Sequence, residues 1–330
     1  MALVYLKGMK PKISVVICTY NRASSLKNTL ESLTKQSDRR FEVILVDGGS
    51  NDDTEKVIKS FERKLTLVKY VFKEKALAKA RDFGWRKARA DIVSWIDDDV
   101  IVSPTWVENI LRLMKGKKIG GVSGPTIIPG NLIDKRDVFS FYNSKGIMGF
   151  LGIFWDKTFL EGGRYVVGRI FRSGAWSPGS NFTKCLSLPD EVDVDYLEAC
   201  NMSLRKNLVK KVGGYDFSYG GVAEWCELDL AQKVKQLGYK LIFSPSVRVD
   251  HHVSVGGIFS KRIGAKSRME NFLRYYFRYI YQPEWGHMWR FALYVLFLNG
   301  YWTMKAISSG NVDWLGGWVG TVTGLIKRDG

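Results

Sequence analysis

The chain has 330 residues, 45% of them hydrophobic, which is room for one large α/β domain with an appendage or for two domains. Its formal net charge of +17 points to an anionic partner: nucleic acid, an anionic membrane surface or phosphorylated substrates. The four cysteines form no CxxC pair and read as reduced, mostly buried thiols of an intracellular protein.

The opening MALVYLKGMKPK has too short an apolar part for a signal peptide, and no run of about 20 uncharged apolar residues predicts a membrane span. Residues 12–19 (KISVVICT) form a strand of the buried type that ends in Tyr20, Asn21 and Arg22. Leu26, Leu30 and Leu33 then mark a helix by their spacing. Residues 41–46 (FEVILV) are a second strand, closed by Asp47 and the turn-forming GGSNDDT, with a short helix to about residue 63. A third strand over 65–72 precedes a basic helix over 76–89, and a fourth spans 91–96. Three consecutive aspartates, Asp97, Asp98 and Asp99, follow it. Ser103-Pro104 fits an N-cap with proline at the first helical position, for a helix over 104–115, and 121–128 is a fifth strand.

Strands alternating with helices at this spacing predict a doubly wound, mostly parallel α/β sheet. In such sheets ligands bind beyond the carboxyl ends of the strands. Asn21, Asp47 and Asp97–Asp99 each follow a predicted strand, so they should converge on one edge. Adjacent carboxylates repel one another, and a hard divalent cation is the usual compensation.

Residues 131–194 carry short aromatic pieces between Gly, Ser and Pro and read as irregular strands and loops inserted over the sheet edge. An extended piece over 196–204, a short helix over 206–213, a helix over 224–237 and two short strands then lead to His251-His252. From 258 onward, apolar residues at helical spacing alternate with Lys and Arg until Pro283, and an apolar stretch covers 291–304. This region suits a segment lying in a membrane interface, with an ordinary packing helix pair as the alternative.

Residues 12–255 resemble the family 2 glycosyltransferases. The resemblance is carried, in order, by SVVICTYNR (14–22), VDGGSNDDT (46–54), LAKARDFGWRKA (77–88), DDD (97–99), CNMSLRK (200–206), GGYD (213–216), WCELDLAQKVKQLGY (225–239) and a histidine six residues after Pro245. It implies the GT-A fold and an inverting transfer from a nucleotide-diphosphate-sugar, a UDP- or GDP-sugar. Thr19, Tyr20, Asn21 and Arg22 would line the nucleotide, and Asp47 would bond the base. Arg81 would pair with donor phosphate or the acidic cluster. Asp99 is the preferred ligand of Mg²⁺ or Mn²⁺, Asp97 would reach the ribose or the metal, Asp98 is a further donor contact, and His251 an additional ligand that His252 could replace. Glu227 falls on the position of the general base, although Cys226 stands where the family commonly has an acid. Glu224, three residues earlier, remains a second candidate.

The implied organisation is a catalytic domain over 1–257, with its nucleotide-sugar half at 12–128 and its acceptor half at 129–257, and a basic amphipathic extension over 258–330. The acceptor would be a saccharide or lipid-linked saccharide at the cytoplasmic membrane face. A nucleotidyltransferase could share this sheet. Against it stand the Glu227 helix and the lack of a Gly-rich phosphate loop after the first strand. A non-catalytic binder would suit the charge, but the basic residues are dispersed and no RNA-binding signature occurs, so nucleic acid is not an expected partner.

Overall fold

In a computed structural model, the described residues are 10–130, 145–163, 165–177, 180–189, 191–221, 223–254 and 264–327. Four strands run as expected: β1 (Ile13–Thr19), β2 (Phe41–Asp47), β3 (Leu67–Val71) and β4 (Ile92–Asp97). Between them lie α1 (Ala23–Thr34), α2 (Thr54–Phe61) and α3 (Leu77–Lys87). β1 pairs in parallel with β2 on one side and β4 on the other, placing Thr19 level with Asp47 and Cys18 level with Asp97. The apolar runs of β1, β2 and β4 are buried on both faces, as continuous hydrophobic strands require. Gly84 lets α3 lie close on this sheet, because a Cβ there would collide with Val16 Cγ1.

The aspartate run does not lead directly into a helix. It forms a tight turn into β5 (Val100–Val102), and α4 begins only at Trp106 (Trp106–Leu113). Ser103 therefore makes no side-chain cap; its carbonyl accepts from Trp106 N at 3.0 Å. The expected fifth strand is two pieces in different sheets, β6 (Ile119–Ser123) and β7 (Thr126–Ile127).

Part of the region expected to be irregular is helical. α5 (Gly146–Phe159) is followed by the single turn α6 (Thr183–Leu186). The aromatic piece VFSFY lies outside the described residues, as do Phe259 and Ile263 of the predicted amphipathic stretch. β8 (Val192–Asp193), β9 (Asn201–Arg205), α7 (Lys206–Lys211), α8 (Cys226–Gln236), β10 (Lys240–Phe243) and β11 (Val249–His251) complete the elements that precede the C-terminal helices.

The main sheet is ordered β3-β2-β1-β4-β9-β6-β10-β8, and β5-β11-β7 form a small second sheet. β9 runs antiparallel between β4 and β6, so the parallel pattern is interrupted at the centre. The small sheet pairs His251 with Val100, which brings the histidine back over the aspartate turn.

The C-terminal residues form α9 (Ala265–Tyr279), α10 (Trp285–Ser309), a 3₁₀ turn (Val312–Leu315) and α11 (Gly316–Ile326). The basic amphipathic stretch is thus a packed helix in its described part. Met269, Phe272, Leu273, Tyr275 and Tyr276 of α9 join the same core as Trp95 of β4 and Leu230 and Trp225 in and beside α8.

Candidate active site

The first three strand ends and the aspartate turn meet as the parallel register dictates. Thr19, the last residue of β1, donates from Oγ1 to Asp98 Oδ2 at 2.7 Å. Asn21 takes a left-handed backbone (φ 51), a conformation asparagine tolerates, and its Oδ1 accepts from Asn51 N at 2.9 Å. Arg22 Nη1 lies 2.9 Å from Asp98 Oδ1 and 3.2 Å from Asp99 Oδ2. Asp47 Oδ1 accepts from Gly49 N at 3.1 Å and Ser50 N at 2.9 Å, and Oδ2 lies 3.4 Å from Lys69 Nζ. The Tyr20 ring lies below Lys75 Nζ, 4.8 Å from its centroid.

The three aspartates are divided among different tasks. Asp98 is buried and bonded to Thr19 and Arg22, so it acts on the strand end that carries those residues. Burial pushes its carboxyl up to about 6, against the pull of Arg22. Asp97, Asp99 and His251 form the candidate metal centre: their ligand atoms all lie within 4.8 Å of one another. The buried Asp99 Oδ1 faces His251 Nε2 at 3.0 Å. Two carboxylates and an imidazole converging within 4.8 Å fit a divalent cation of the Mg²⁺ or Mn²⁺ class. The neighbouring His252 is used through its backbone, donating its N–H to Asp99 O at 2.9 Å.

Arg81, buried on α3, connects this centre to the second half of the domain. Its Nη2 donates to Asp97 Oδ1 at 2.7 Å and its Nη1 to Glu227 Oε1. Glu227 is 8% exposed and opens α8 one residue behind Cys226, whose thiol is pushed well up by burial and the Glu227 carboxylate. Glu224 lies at the same cavity but pairs with Arg268 Nη2 of α9 at 3.0 Å. Between the two acids, Trp225 holds a left-handed backbone (φ 78), costly for a bulky residue and characteristic of sites where structure is held for function. Its ring packs between Trp176 and Tyr275, at centroid distances of 4.7 and 5.0 Å.

A cavity of about 290 Å³ is lined by Arg81, Asp97, Trp176, Glu198, Glu224 and Glu227, among others. Glu198 and Trp176 were absent from the sequence reading. Glu198 stands in YLEACNMSLRK, three residues before β9; that an acid precedes a buried strand at the sheet centre was the available signal. Burial pushes its carboxyl up.

Residues 14–160 match the family model described as glycosyl transferase family 2. The chain is 40% identical over 111 residues to validoxylamine A glucosyltransferase of Streptomyces hygroscopicus subsp. jinggangensis, covering 32% of this chain and 26% of the relative. It thus spans about a quarter of that relative's length. It is 23% identical over 250 residues to glucosyl-dolichyl phosphate glucuronosyltransferase of Haloferax volcanii, covering 73% of this chain and 69% of that one. In fold it is similar to a mannosyltransferase of Pyrobaculum calidifontis solved with GDP-Man and Mn²⁺, with a TM-score of 0.55 at 16% identity over 97% of this chain and 88% of the other.

Proposed function

We propose that this chain, whose residues 14–160 match the glycosyl transferase family 2 model and which has the GT-A fold, moves a sugar, with inversion, from a nucleotide-diphosphate-sugar to an acceptor hydroxyl. The observation that carries this reading is Arg81: one buried guanidinium joins Asp97, on the donor side, to Glu227, 146 positions further along the chain. Donor site and proton acceptor are thereby held at a fixed mutual distance, which is what single displacement requires.

Asp47 and the backbone around Gly49 and Ser50 receive the base and ribose, with Tyr20 and Asn21 beside them. Thr19 and Arg22, held by Asp98, shape the floor under the diphosphate. Asp97, Asp99 and His251 would hold the cation, which when bound neutralises charge on the departing nucleoside diphosphate. Arg81 orients Glu227 and offers a fixed positive charge beside the leaving group. Glu227 takes the proton of the attacking hydroxyl, and the acceptor approaches from the side opposite the diphosphate, so the product is inverted. Trp176, 47% exposed, offers a ring on which a sugar can stack, backed by the buried Trp225. Glu224, paired with Arg268, serves to seat α9 rather than to accept the proton.

The donor is a UDP- or GDP-sugar and the acceptor a saccharide, free or lipid-linked, at an anionic membrane surface on the cytoplasmic side. Among the described residues no helix is long and apolar enough to cross a membrane. Support for surface contact comes instead from exposed apolar residues on three helices: Ile147 (79% exposed) and Phe150 of α5, Trp285, Leu296 and Ile307 of α10, and Val322 and Ile326 of α11. α5 adjoins α10 through Trp155 and Phe297, 4.3 Å between ring centroids, which brings the apolar residues of these two helices near one another. Exposed apolar residues in such number suit a membrane interface, and Arg290 and Lys305 on α10, with Lys327 just after α11, suit anionic headgroups.

The test is NMR of the product formed with any active donor and acceptor pair. An anomer opposite to the donor's supports the reading; retention contradicts it.

A further inference from the structure

A second cavity, of about 440 Å³, lies one turn further along α8 from the candidate active site. Three segments line both cavities. Residues 170–172 face the second and Trp176 the first; Asp195 faces the second and residues 197–199 the first; Gln232 faces the second and Glu227 and Leu228 the first. Leu228 and Gln232 are one helical turn apart, about 6 Å along the axis. The second cavity therefore begins roughly one sugar unit away from the first.

Its walls have a specific chemistry. Phe171 and Tyr279 present aromatic rings, with the buried Tyr275 packed behind Tyr279. The side chains of Gln232, Gln282 and Glu284 line it and make no hydrogen bond among the described residues. His287, 5% exposed, lines it too, and its Nδ1 has no partner among the described residues. Arg172 is the one basic residue of the lining outside His287, against the two carboxylates of Asp195 and Glu284, so the cavity is no phosphate or nucleotide site. Nor is it a slot for an acyl chain, which would set hydrocarbon against the unpartnered Nδ1 of the buried His287 and the free amide of the half-buried Gln232. Ring faces combined with free amides and a carboxylate are the chemistry that binds a polyhydroxylated ring.

We propose that this cavity is an acceptor subsite that binds a saccharide unit one or more residues removed from the hydroxyl that is glycosylated. The proposal rests on the glycosyl-transfer reading above for its direction, and on the cavity alone for its ligand class. α10 begins at Trp285, directly after Glu284, so the subsite opens at the rim of the apolar surface. A saccharide carried on a lipid would reach it from there.

Saturation-transfer NMR on the full chain tests this, with the methyl glycosides of glucose, mannose, galactose and N-acetylglucosamine, the disaccharides maltose, cellobiose and mannobiose, and their octyl glycosides as lipid-borne counterparts. At least one disaccharide should be contacted. Its affinity should fall at least tenfold in Gln232→Trp, which fills the cavity, and in the exposed double variant Gln282→Ala/Glu284→Ala, and stay unchanged in Lys56→Ala, on the exposed face of α2 and away from both cavities. A preference for the free or the octyl form upholds the site and identifies its source. No contact from any saccharide, or equal contact in every variant, overturns the proposal. Metal-dependent hydrolysis of the nucleotide-sugar, run on the same samples, separates the two claims. Hydrolysis without saccharide contact sinks the subsite alone, whereas saccharide contact without hydrolysis of any donor sinks the transfer reading and leaves the subsite standing.

Discussion

Glu227 and Glu224 are both acids at one cavity, and their partners separate them. Glu227 is nearly closed off and bonded to Arg81, while Glu224 is half exposed and bonded to a helix outside the donor site. Replacing Glu227 by Gln should lower the rate of transfer by at least about 100-fold, the span of a lost general base, with donor affinity within a few-fold of the original. Glu224→Gln should leave the rate within a few-fold; the reverse order of effects in steady-state kinetics would exchange their roles. Arg81 has a second, structural consequence. Its removal leaves Glu227 and Asp97 without their cation in a largely buried setting, so Arg81→Ala should cost about 3 kcal/mol in denaturant unfolding, whether or not activity is measured. Unchanged stability would mean that water reaches both acids freely. That Asp97, Asp99 and Arg81 would lie together was legible, because each sits at or near the carboxyl end of a predicted parallel strand or on the helix facing it. The partners of Asp98 were not. Asp98's bonds to Thr19 and Arg22 depend on how a three-residue turn is aimed, and nothing in DDD encodes that.

At the level of elements, α8 is the hinge between catalysis and the C-terminal helices. Asp229, fully buried on α8, accepts from Arg278 Nη1 at 2.8 Å and from Tyr279 Oη at 2.7 Å, both on α9. Arg278 also donates to Asp216 Oδ2 at 2.7 Å. Burial pushes the Asp216 carboxyl up, but hydrogen bonds from Ser218 and the Arg278 guanidinium overcome it and hold it at about 2. A depressed carboxylate stabilises the fold fully above its unfolded value of about 4 and loses that contribution as pH falls toward 2. The stability difference between the unmodified chain and Arg278→Ala should therefore be flat above about pH 4 and shrink toward pH 2. A difference that persists undiminished at pH 2 would assign it to the Asp229 bond or to packing of the arginine stem instead. The helix α8 itself was readable from its apolar spacing. The left-handed Trp225 ahead of it was not, because the strain is held by Trp176 and Tyr275, residues distant in sequence. α5 was missed for a related reason: GIMGFLGIFW is apolar on nearly every position, so it lacks the one-sided period by which a helix is recognised.

Across the whole molecule, the alternation of strands and helices up to β4 made the fold and one site edge predictable, since parallel strands bring their ends together whatever loops join them. The antiparallel β9 at the sheet centre and the return of β11 over the aspartate turn were beyond that rule, because pairing of distant strands leaves no local period. The apolar surface of α5, α10 and α11 is a property of the assembled chain. Phe150→Asp combined with Ile147→Asp on α5 should reduce flotation with anionic vesicles severalfold while leaving donor hydrolysis unaltered, and equal flotation would confine membrane contact to the C-terminal helices. The central claim is that donor cleavage depends on a cation held by Asp97, Asp99 and His251. It is tested most directly by nucleoside diphosphate release from a panel of UDP-, GDP- and dTDP-sugars, with Mn²⁺ or with EDTA, in the unmodified chain and in Asp99→Asn. The account predicts release from one donor class, abolished by EDTA and lost in Asp99→Asn. Release that survives both EDTA and the substitution, or none from any donor with Mn²⁺ present, would contradict it.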